Sequence, residues 1–224
     1  MMAVRIFPFL QAGSNMYVLT AEGQALIIDP CVNVEAMDYL RACQVTEITI
    51  LLTHEHYDHT SGVLFFCTAF SKHRVLCQEE AAQALAAGKN NRPVLIASEL
   101  LKKKDLAQVK DLVKALPQGY RYQPEIVFAQ TYTMSFAGHR VHMVHTPGHS
   151  PGSCCIEVDA DMLFTGDSLI LHTPTLLRLR GSDSEQYRSV AVPYLQTKPL
   201  GIHVYPGHGA PFVLQADSLS EIYD

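Results

Sequence analysis

The order of apolar segments along the chain predicts a mixed α/β fold. Strand-like runs come first, helical patterns follow, a second group of strands comes next, and a helix and a strand end the series. The 224 residues suffice for one substantial domain, and no repeat of roughly 20–50 residues or linker divides them. Hydrophobic residues make up 48% of the chain and charged residues 17%, a composition that excludes a disordered protein. We therefore expect one domain over residues 1–224.

The pattern of apolar and turn residues in the first third of the chain predicts strands interleaved with two helices. Short glycine-containing turns separate the first three strands. Asn33 is placed as the N-cap of the first helix, and Ala36 and Leu40 lie on its apolar face. The predicted strands are residues 3–9, 15–20, 24–29, 47–52 and 74–77, and the predicted helices are residues 34–43 and about 61–71.

Residues 78–123 predict a helical insertion between two groups of strands. Residues 79–87 are rich in alanine, and residues 105–116 repeat apolar side chains at helical spacing, with Asp105 as the N-cap and Pro117 as the stop. Strands then return, followed by one more helix. The predicted strands are residues 126–128, 132–136, 140–145, 153–158, 162–165 and 202–205, and the helix lies near residues 185–195.

The distribution of charge along the chain argues against one class of partner and favours another. The 17 basic and 22 acidic residues give a formal net charge of −5, which argues against a long nucleic acid. Residues 89–121 nevertheless carry eight basic and three acidic residues. Such a segment would suit a lid over a small anionic substrate, with Lys102 as the candidate contact.

Nothing in the sequence predicts a membrane partner. No apolar run approaches the roughly 18–20 residues that span a bilayer, and the first residues lack the pattern of a signal peptide. We therefore expect a cytoplasmic protein. None of the six cysteines forms a Cys-x-x-Cys pair, so we expect buried free thiols.

Four side chains of the kinds that bind metals lie within six residues at the end of a predicted buried strand. They are His54, His56, Asp58 and His59. A strand-to-helix loop can direct the first two at one point and the last two at a second point a few ångströms away. Each of these half-sites needs further ligands from elsewhere in the chain.

Three more candidates follow apolar strands and lie in tight turns beside glycine or proline. His149 lies in Thr-Pro-Gly-His, Asp167 in Gly-Asp and His208 in Pro-Gly-His. Imidazole and carboxylate ligands suit zinc, iron or manganese, so the residue types leave the metal open. Polar neighbours that could orient these ligands are Asp29, Thr53 and His145.

In their type and order, these motifs resemble those of the metallo-β-lactamase superfamily. The motifs are Thr-His-x-His-x-Asp-His, Thr-Pro-Gly-His, Gly-Asp and Pro-Gly-His, and the resemblance extends from Asn15 to Pro211. It implies a four-layer αββα sandwich with a dinuclear site at one sheet edge. The helical insertion at residues 78–123 would cover part of that site.

The resemblance also implies a role for each candidate ligand. His54, His56 and His149 would hold one metal ion, Asp58, His59 and His208 would hold a second, and Asp167 would bridge them. We expect two divalent ions per chain, zinc first, with iron or manganese as alternatives. They would share a hydroxide that acts as the nucleophile. The catalytic motif is then His54, His56, Asp58 and His59.

Asp167 together with His59 resembles the glyoxalase II branch and the lactonases, because true β-lactamases typically lack the bridging carboxylate. The expected reaction is hydrolysis of a thioester or carboxylic ester, of the acyl-carrier or lactone type. Glyoxalase II enzymes bind glutathione with a C-terminal helical extension, and only 16 residues follow His208, so we expect a different acyl carrier. His172 and Arg178, in the long loop after Asp167, are further candidate substrate contacts.

Three alternatives stay open from the sequence. The first is a phosphodiesterase acting on small nucleotides, which a two-metal site would also serve. The second is a persulfide dioxygenase, a class that resembles this motif set but uses a single iron. The third is a metal-free binding protein of the same fold, although all seven ligands are retained. A dimer is compatible with the apolar residues of the insertion.

Overall fold

The computed structural model describes residues 3–88, 91–97 and 104–219. Among these residues, twelve strands form two six-stranded sheets. In the first sheet the strands lie in chain order, antiparallel from β1 to β3 and parallel from β3 to β6. Its strands are β1 (Val4–Phe9), β2 (Ser14–Ala21), β3 (Gln24–Ile28), β4 (Glu47–Leu51), β5 (Lys72–Gln78) and β6 (Ile126–Phe128).

The second sheet has the order β12-β11-β10-β9-β8-β7. Its strands are β7 (Thr131–Phe136), β8 (His139–His145), β9 (Cys154–Val158), β10 (Met162–Gly166), β11 (His203–Pro206) and β12 (Phe212–Val213). β9 is antiparallel to both β8 and β10, and β10 is parallel to β11. The strands β8, β10 and β11 therefore all end at the same edge of the sheet.

Helices cover the outer face of each sheet. They are α1 (Val34–Ala42), α2 (Tyr57–Thr60), α3 (Val63–Ala69), α4 (Glu79–Ala87) and α5 (Leu106–Ala115), with a 3₁₀ turn at Pro93–Ile96. Three consecutive stretches, Ser184–Gln186, the π-helical turn Tyr187–Ala191 and Val192–Gln196, form a segment that we call α6. The predicted caps are confirmed, because Asn33 and Asp105 accept hydrogen bonds from the amides of Ala36 and Gln108. None of the described helices is both long and apolar enough to cross a membrane.

Three apolar clusters show that the layers form an αββα sandwich. Alternate residues of β3 separate two of them, since Leu26 faces the second sheet while Ile27 faces the helices. Cys154 and Cys155 of β9 divide in the same way, one between the sheets and one under α6. Each sheet is thus buried on both faces, and the predicted fold class is confirmed. All six cysteines are free thiols, and five of them are buried.

The helix expected near residues 61–71 is wrong at its start. Helical structure begins four residues earlier, at Tyr57, and is interrupted before α3. The Gly62 amide donates to the Pro30 carbonyl at 2.9 Å instead of continuing the helical hydrogen bonds, and this contact accounts for the interruption. As a consequence, Asp58 and His59 lie on a helical turn and not in a loop.

Candidate metal centre

The four ligand-bearing turns meet at one edge of the sandwich. The first follows β4, and the other three follow β8, β10 and β11. Backbone hydrogen bonds join the turns to each other and to the first sheet. The Cys154 amide donates to the Thr53 carbonyl, the Asn15 amide to Gly207, and the Gly207 amide to Gly166, each at 2.7 Å. The edge is therefore built by both sheets together.

Three histidines converge on one point. The Nδ1 atom of His56 lies 3.1 Å from Nε2 of His54 and 3.0 Å from Nε2 of His149. His54 and His149 are buried, and His56 is partly buried. Three imidazole nitrogens at these separations can all reach a single cation.

A second group of three lies beside the first. Oδ2 of Asp58 is 3.4 Å from Nε2 of His59 and 3.3 Å from Nε2 of His208. His59 is completely buried, whereas His208 is partly exposed and lies on the solvent side. The three ligand atoms lie close enough together to share a cation.

Asp167 lies between the two groups. Its Oδ2 atom is 3.5 Å from Nε2 of His149 in the first group and 3.5 Å from Nε2 of His208 in the second. Its Oδ1 atom is 3.5 Å from Nε2 of His59. All seven side chains that the sequence singled out as ligands are thus brought together.

Hydrogen bonds on the far side of the rings direct lone pairs into the site. Thr53 donates its hydroxyl proton to Asp29, so Nδ1 of His54 donates to Thr53 and Nε2 carries the lone pair. His149 likewise donates from Nδ1 to the carbonyl oxygen of Leu176. Both rings therefore point an unprotonated nitrogen at the site, as a metal ligand requires.

The same reasoning applies to the second group. His59 donates from Nδ1 to Oδ2 of Asp29 at 3.0 Å, which leaves Nε2 facing Asp58 and Asp167. Within the described residues, Nε2 of His59 and Oδ1 of Asp167 are both buried without a hydrogen-bond partner. Burying a polar atom without a partner is costly, and a cation between these atoms would satisfy both. The residues present therefore fit bound metal.

The pKa shifts of the first group favour neutral imidazoles. Burial lowers the pKa of His56 to about 4 and lowers the pKa values of His54 and His149 as well, with the neighbouring histidines acting in the same direction on His54 and His56. Neutral imidazole is the form that coordinates a metal, so this group is ready to bind at neutral pH.

In the second group, the pKa values of the histidines are raised instead of lowered. Burial acts to lower the pKa of His59 and of His208, but the charges of Asp58 and Asp167 outweigh it and raise both values. Burial acts to raise the pKa of each carboxyl group, and the nearby histidines outweigh it in turn. This half of the site therefore attracts positive charge strongly.

A family model described as the metallo-beta-lactamase superfamily matches residues 11–208. The chain belongs to the metallo-beta-lactamase superfamily. The match begins before the first ligand motif and ends at His208, so it includes every candidate ligand. The predicted family is confirmed, and with it a metal-binding enzyme of the metallo-hydrolase class.

Curated members of the superfamily resemble the chain over most of its length. A probable metallo-hydrolase of Streptococcus pyogenes is 28% identical over 88% of this chain and 80% of its own length. An atrochrysone carboxyl carrier-protein thioesterase of Aspergillus fumigatus is 27% identical over 88% of this chain. An acyl-coenzyme A thioesterase of Bos taurus is 25% identical over 71% of it. The alignments cover only 51% and 60% of these two thioesterases.

A solved structure agrees with the fold of the superfamily. The crystal structure of BLEG-1, a B3 metallo-beta-lactamase, superposes with a TM-score of 0.71, covers 94% of both chains and is 26% identical in sequence.

The predicted substrate residues do not lie among the ligands. His172 and Arg178 are exposed on the segment between β10 and α6, and this segment reaches the site through Leu176, which accepts from His149. Lys102 lies outside the described residues. The described part of the insertion contacts α2, because the Tyr57 hydroxyl donates to the Pro117 carbonyl at 2.6 Å. A covering role for the insertion stays a prediction.

Two of the three predicted orienting residues contact ligands, and one further orienting residue was not predicted. Asp29 and Thr53 contact ligands, whereas His145 hydrogen-bonds to Pro151 in its own loop. Asn15, for which no role was predicted, donates to the carbonyls of Pro206 and Gly209 at 3.1 and 2.8 Å and so holds the turn that carries His208. The available signal in the sequence was an asparagine at the start of a largely apolar strand.

Proposed function

We propose that this chain is a dinuclear metal-dependent hydrolase of thioesters or carboxylic esters, of the acyl-carrier or lactone type. The observation that carries the proposal is the position of Asp167, whose two oxygens lie 3.5 Å from histidines of both groups. A carboxylate in that place can hold two ions near each other, which is the arrangement of two-metal hydrolytic sites.

The buried charge supports two ions. Four carboxylates lie in or beside the site, namely Asp29, Glu55, Asp58 and Asp167. The histidines of the first group are neutral, and those of the second group must lose a proton to bind a metal, so in the metal-bound site these carboxylates leave a large negative charge in a region of low dielectric constant. Two divalent cations would balance four formal negative charges, and one would not. Zinc is the first expectation, with iron or manganese also suited to the ligand set.

The ligand residues would hold the metal ions at which hydrolysis takes place. Two divalent ions, when bound, would supply hydroxide at neutral pH and polarise the carbonyl of the substrate. His54, His56 and His149 would hold one ion. Asp58, His59 and His208 would hold the other. Ser150, next to a ligand, is no substitute nucleophile, because its hydroxyl is buried and donates to Glu55.

Two observations support a proposal for the chemical class of the acyl carrier. Two relatives are named as thioesterases, one for a carrier protein and one for acyl-coenzyme A. The basic segment at residues 89–121 would favour an anionic carrier such as coenzyme A. We therefore propose an acyl-coenzyme A or a similar phosphorylated thioester as the substrate class.

A substrate panel on zinc-loaded protein tests the reaction. It includes an acyl-coenzyme A, a lactone, a nitrophenyl phosphodiester and a cephalosporin, with His54→Ala as the inactive control. We expect kcat/KM to be highest for the thioester or the lactone and the control to lose all turnover. Faster turnover of the phosphodiester would instead favour the phosphodiesterase. Oxygen uptake by iron-loaded protein with glutathione persulfide would favour the dioxygenase.

Replacing Lys102, Lys103 and Lys104 with serine tests the anionic carrier. Loss of three positive charges should raise KM for an acyl-coenzyme A roughly tenfold at low ionic strength while kcat changes little. KM for an uncharged thioester serves as the control and should stay constant. An unchanged KM for the acyl-coenzyme A would exclude the basic segment from substrate binding.

A further inference from the structure

Glu55 is a buried carboxylate for which the ligand motif gives no role. Its residue is 2% exposed, and it lies between the ligands His54 and His56. Its carboxylate contacts Ser150, on the turn that carries His149. A buried charge needs a partner, and the neighbouring turn that carries His149 supplies one.

Glu55 is tied to that turn by a directed chain of hydrogen bonds. The Ser150 hydroxyl donates to Oε2 of Glu55 at 2.8 Å, and Ser150 immediately follows His149. Since this hydroxyl has a single proton, the 2.9 Å bond between Ser150 and Ser153 takes its proton from Ser153. The Ser150 amide donates back to the Ser153 oxygen at 3.1 Å. All three residues are at least nine-tenths buried.

The packing around the carboxylate leaves it little freedom. A Cβ atom added at Gly152 would lie 2.7 Å from Oε2 of Glu55 and 2.5 Å from the amide nitrogen of Ala81. The turn therefore passes against Glu55 at a distance that only glycine allows, with α4 directly behind it. Gly152 and α4 therefore limit the space that is open to the carboxylate.

We infer that Glu55 is a positioning residue that, through Ser150, sets His149 against His54 and His56 to form the first metal site. This inference rests on the proposed dinuclear function. The two turns come from positions 95 residues apart in the chain. The Cys154 amide also donates to the Thr53 carbonyl and joins the same two turns. The contact between Glu55 and Ser150 involves the residues that directly adjoin the ligands.

Three variants and a control separate positioning from stability. Glu55→Ala removes the acceptor, Ser150→Ala removes the donor, and Glu55→Gln keeps an oxygen for Ser150 without the charge. Glu35→Ala, an exposed glutamate on α1, is the matched control. For each purified full-length protein, the affinity of both sites for Zn²⁺ is measured by chelator competition, and the Co²⁺-loaded forms are compared by their visible absorption.

We expect Glu55→Ala and Ser150→Ala to bind the first Zn²⁺ about 10- to 100-fold more weakly and to show an altered Co²⁺ spectrum. Glu55→Gln should recover most of the affinity, and Glu35→Ala should match the wild type. Ser150→Ala and Glu55→Gln keep the test decisive if Glu55→Ala does not fold. Wild-type affinity and spectrum in Ser150→Ala would overturn the inference, as would a Glu55→Gln variant no better than Glu55→Ala. A wild-type protein that binds no metal would instead overturn the proposed function.

Discussion

At the scale of single residues, Asp29 supports both halves of the site. Its Oδ1 accepts from the Thr53 amide at 2.7 Å, and its Oδ2 accepts from the Thr53 hydroxyl at 2.5 Å and from His59 at 3.0 Å. Through Thr53 it also fixes the ring of His54. The backbone of Asp29 has a φ of 53°, a left-handed conformation that costs energy and is held by these contacts.

Asp29→Asn should weaken binding of metal by the second group about 10- to 100-fold. Asparagine tolerates the left-handed backbone, but its amide group has one acceptor oxygen and cannot receive all three hydrogen bonds. Zn²⁺ affinity and the melting temperature are measured together, with Asp38→Asn as the control because Asp38 is an exposed residue of α1. Unchanged affinity in Asp29→Asn would contradict its orienting role.

The seven ligand candidates could be predicted from the sequence because they cluster in short motifs. Roles for Glu55, Ser150 and Asn15 could not be predicted, since each forms a hydrogen bond with a residue far away in the chain. The contact between Glu55 and Ser150 joins residues 95 positions apart, and that from Asn15 to the Pro206 carbonyl joins residues 191 apart. Such pairs are created by the packing of the two sheets and have no local pattern.

At the scale of elements, the turn after β11 brings His208 and Asp167 together. A Cβ atom at Gly207 would collide with Oδ1 of Asp167 and would lie 2.9 Å from Cε1 of His59. This glycine is therefore required for the close approach of two ligand-bearing turns.

Gly207→Ala should abolish binding of the second ion, because the methyl group would occupy the space between Asp167 and His59. Gly138→Ala, in the turn between β7 and β8, is the control. Its backbone φ is +83° with nothing within 4 Å of an added Cβ, so it should cost only about 1 kcal/mol of stability and leave metal binding intact. Metal equivalents per chain decide the result, and two equivalents in Gly207→Ala would refute the steric argument.

Most elements were predictable, and the exceptions share a cause. α5 agrees with its predicted bounds to within one residue, because its caps and its apolar period are both local signals. α2 was missed because Tyr57–Thr60 is too short to show a helical period. The two-residue strand β12 was missed for the same reason, since it exists only through its pairing with β11.

At the scale of the whole molecule, two sheets buried on both faces bring four turns to one edge. The edge contains both buried carboxylates and neutral histidines. Among the described residues, Nε2 of His59 and Oδ1 of Asp167 are buried without a hydrogen-bond partner, and a bound cation would satisfy both, so metal binding and stability should be coupled. The four-layer order followed from the resemblance to the family, and neither composition nor periodicity could have paired the sheets.

Removing metal with a chelator should lower the melting temperature by about 5–10 °C. An ion present at about 100 times its Kd adds roughly 2.7 kcal/mol, and in a protein of this size each kcal/mol shifts the melting temperature by about 2–4 °C. Zn²⁺ should restore the loss, whereas Mg²⁺, which prefers oxygen ligands, should not. If verified removal of metal left the melting temperature unchanged, the coupling would be refuted.

The most direct test of the account is the number of metal ions bound per chain, measured by elemental analysis of wild-type protein and Asp167→Ala after saturation with Zn²⁺ and desalting. If Asp167 joins two ions, the wild type should hold two per chain and the variant one, with turnover reduced about 100-fold or more. A wild type that saturates at one ion, or a variant that still holds two, would contradict the bridging role of Asp167.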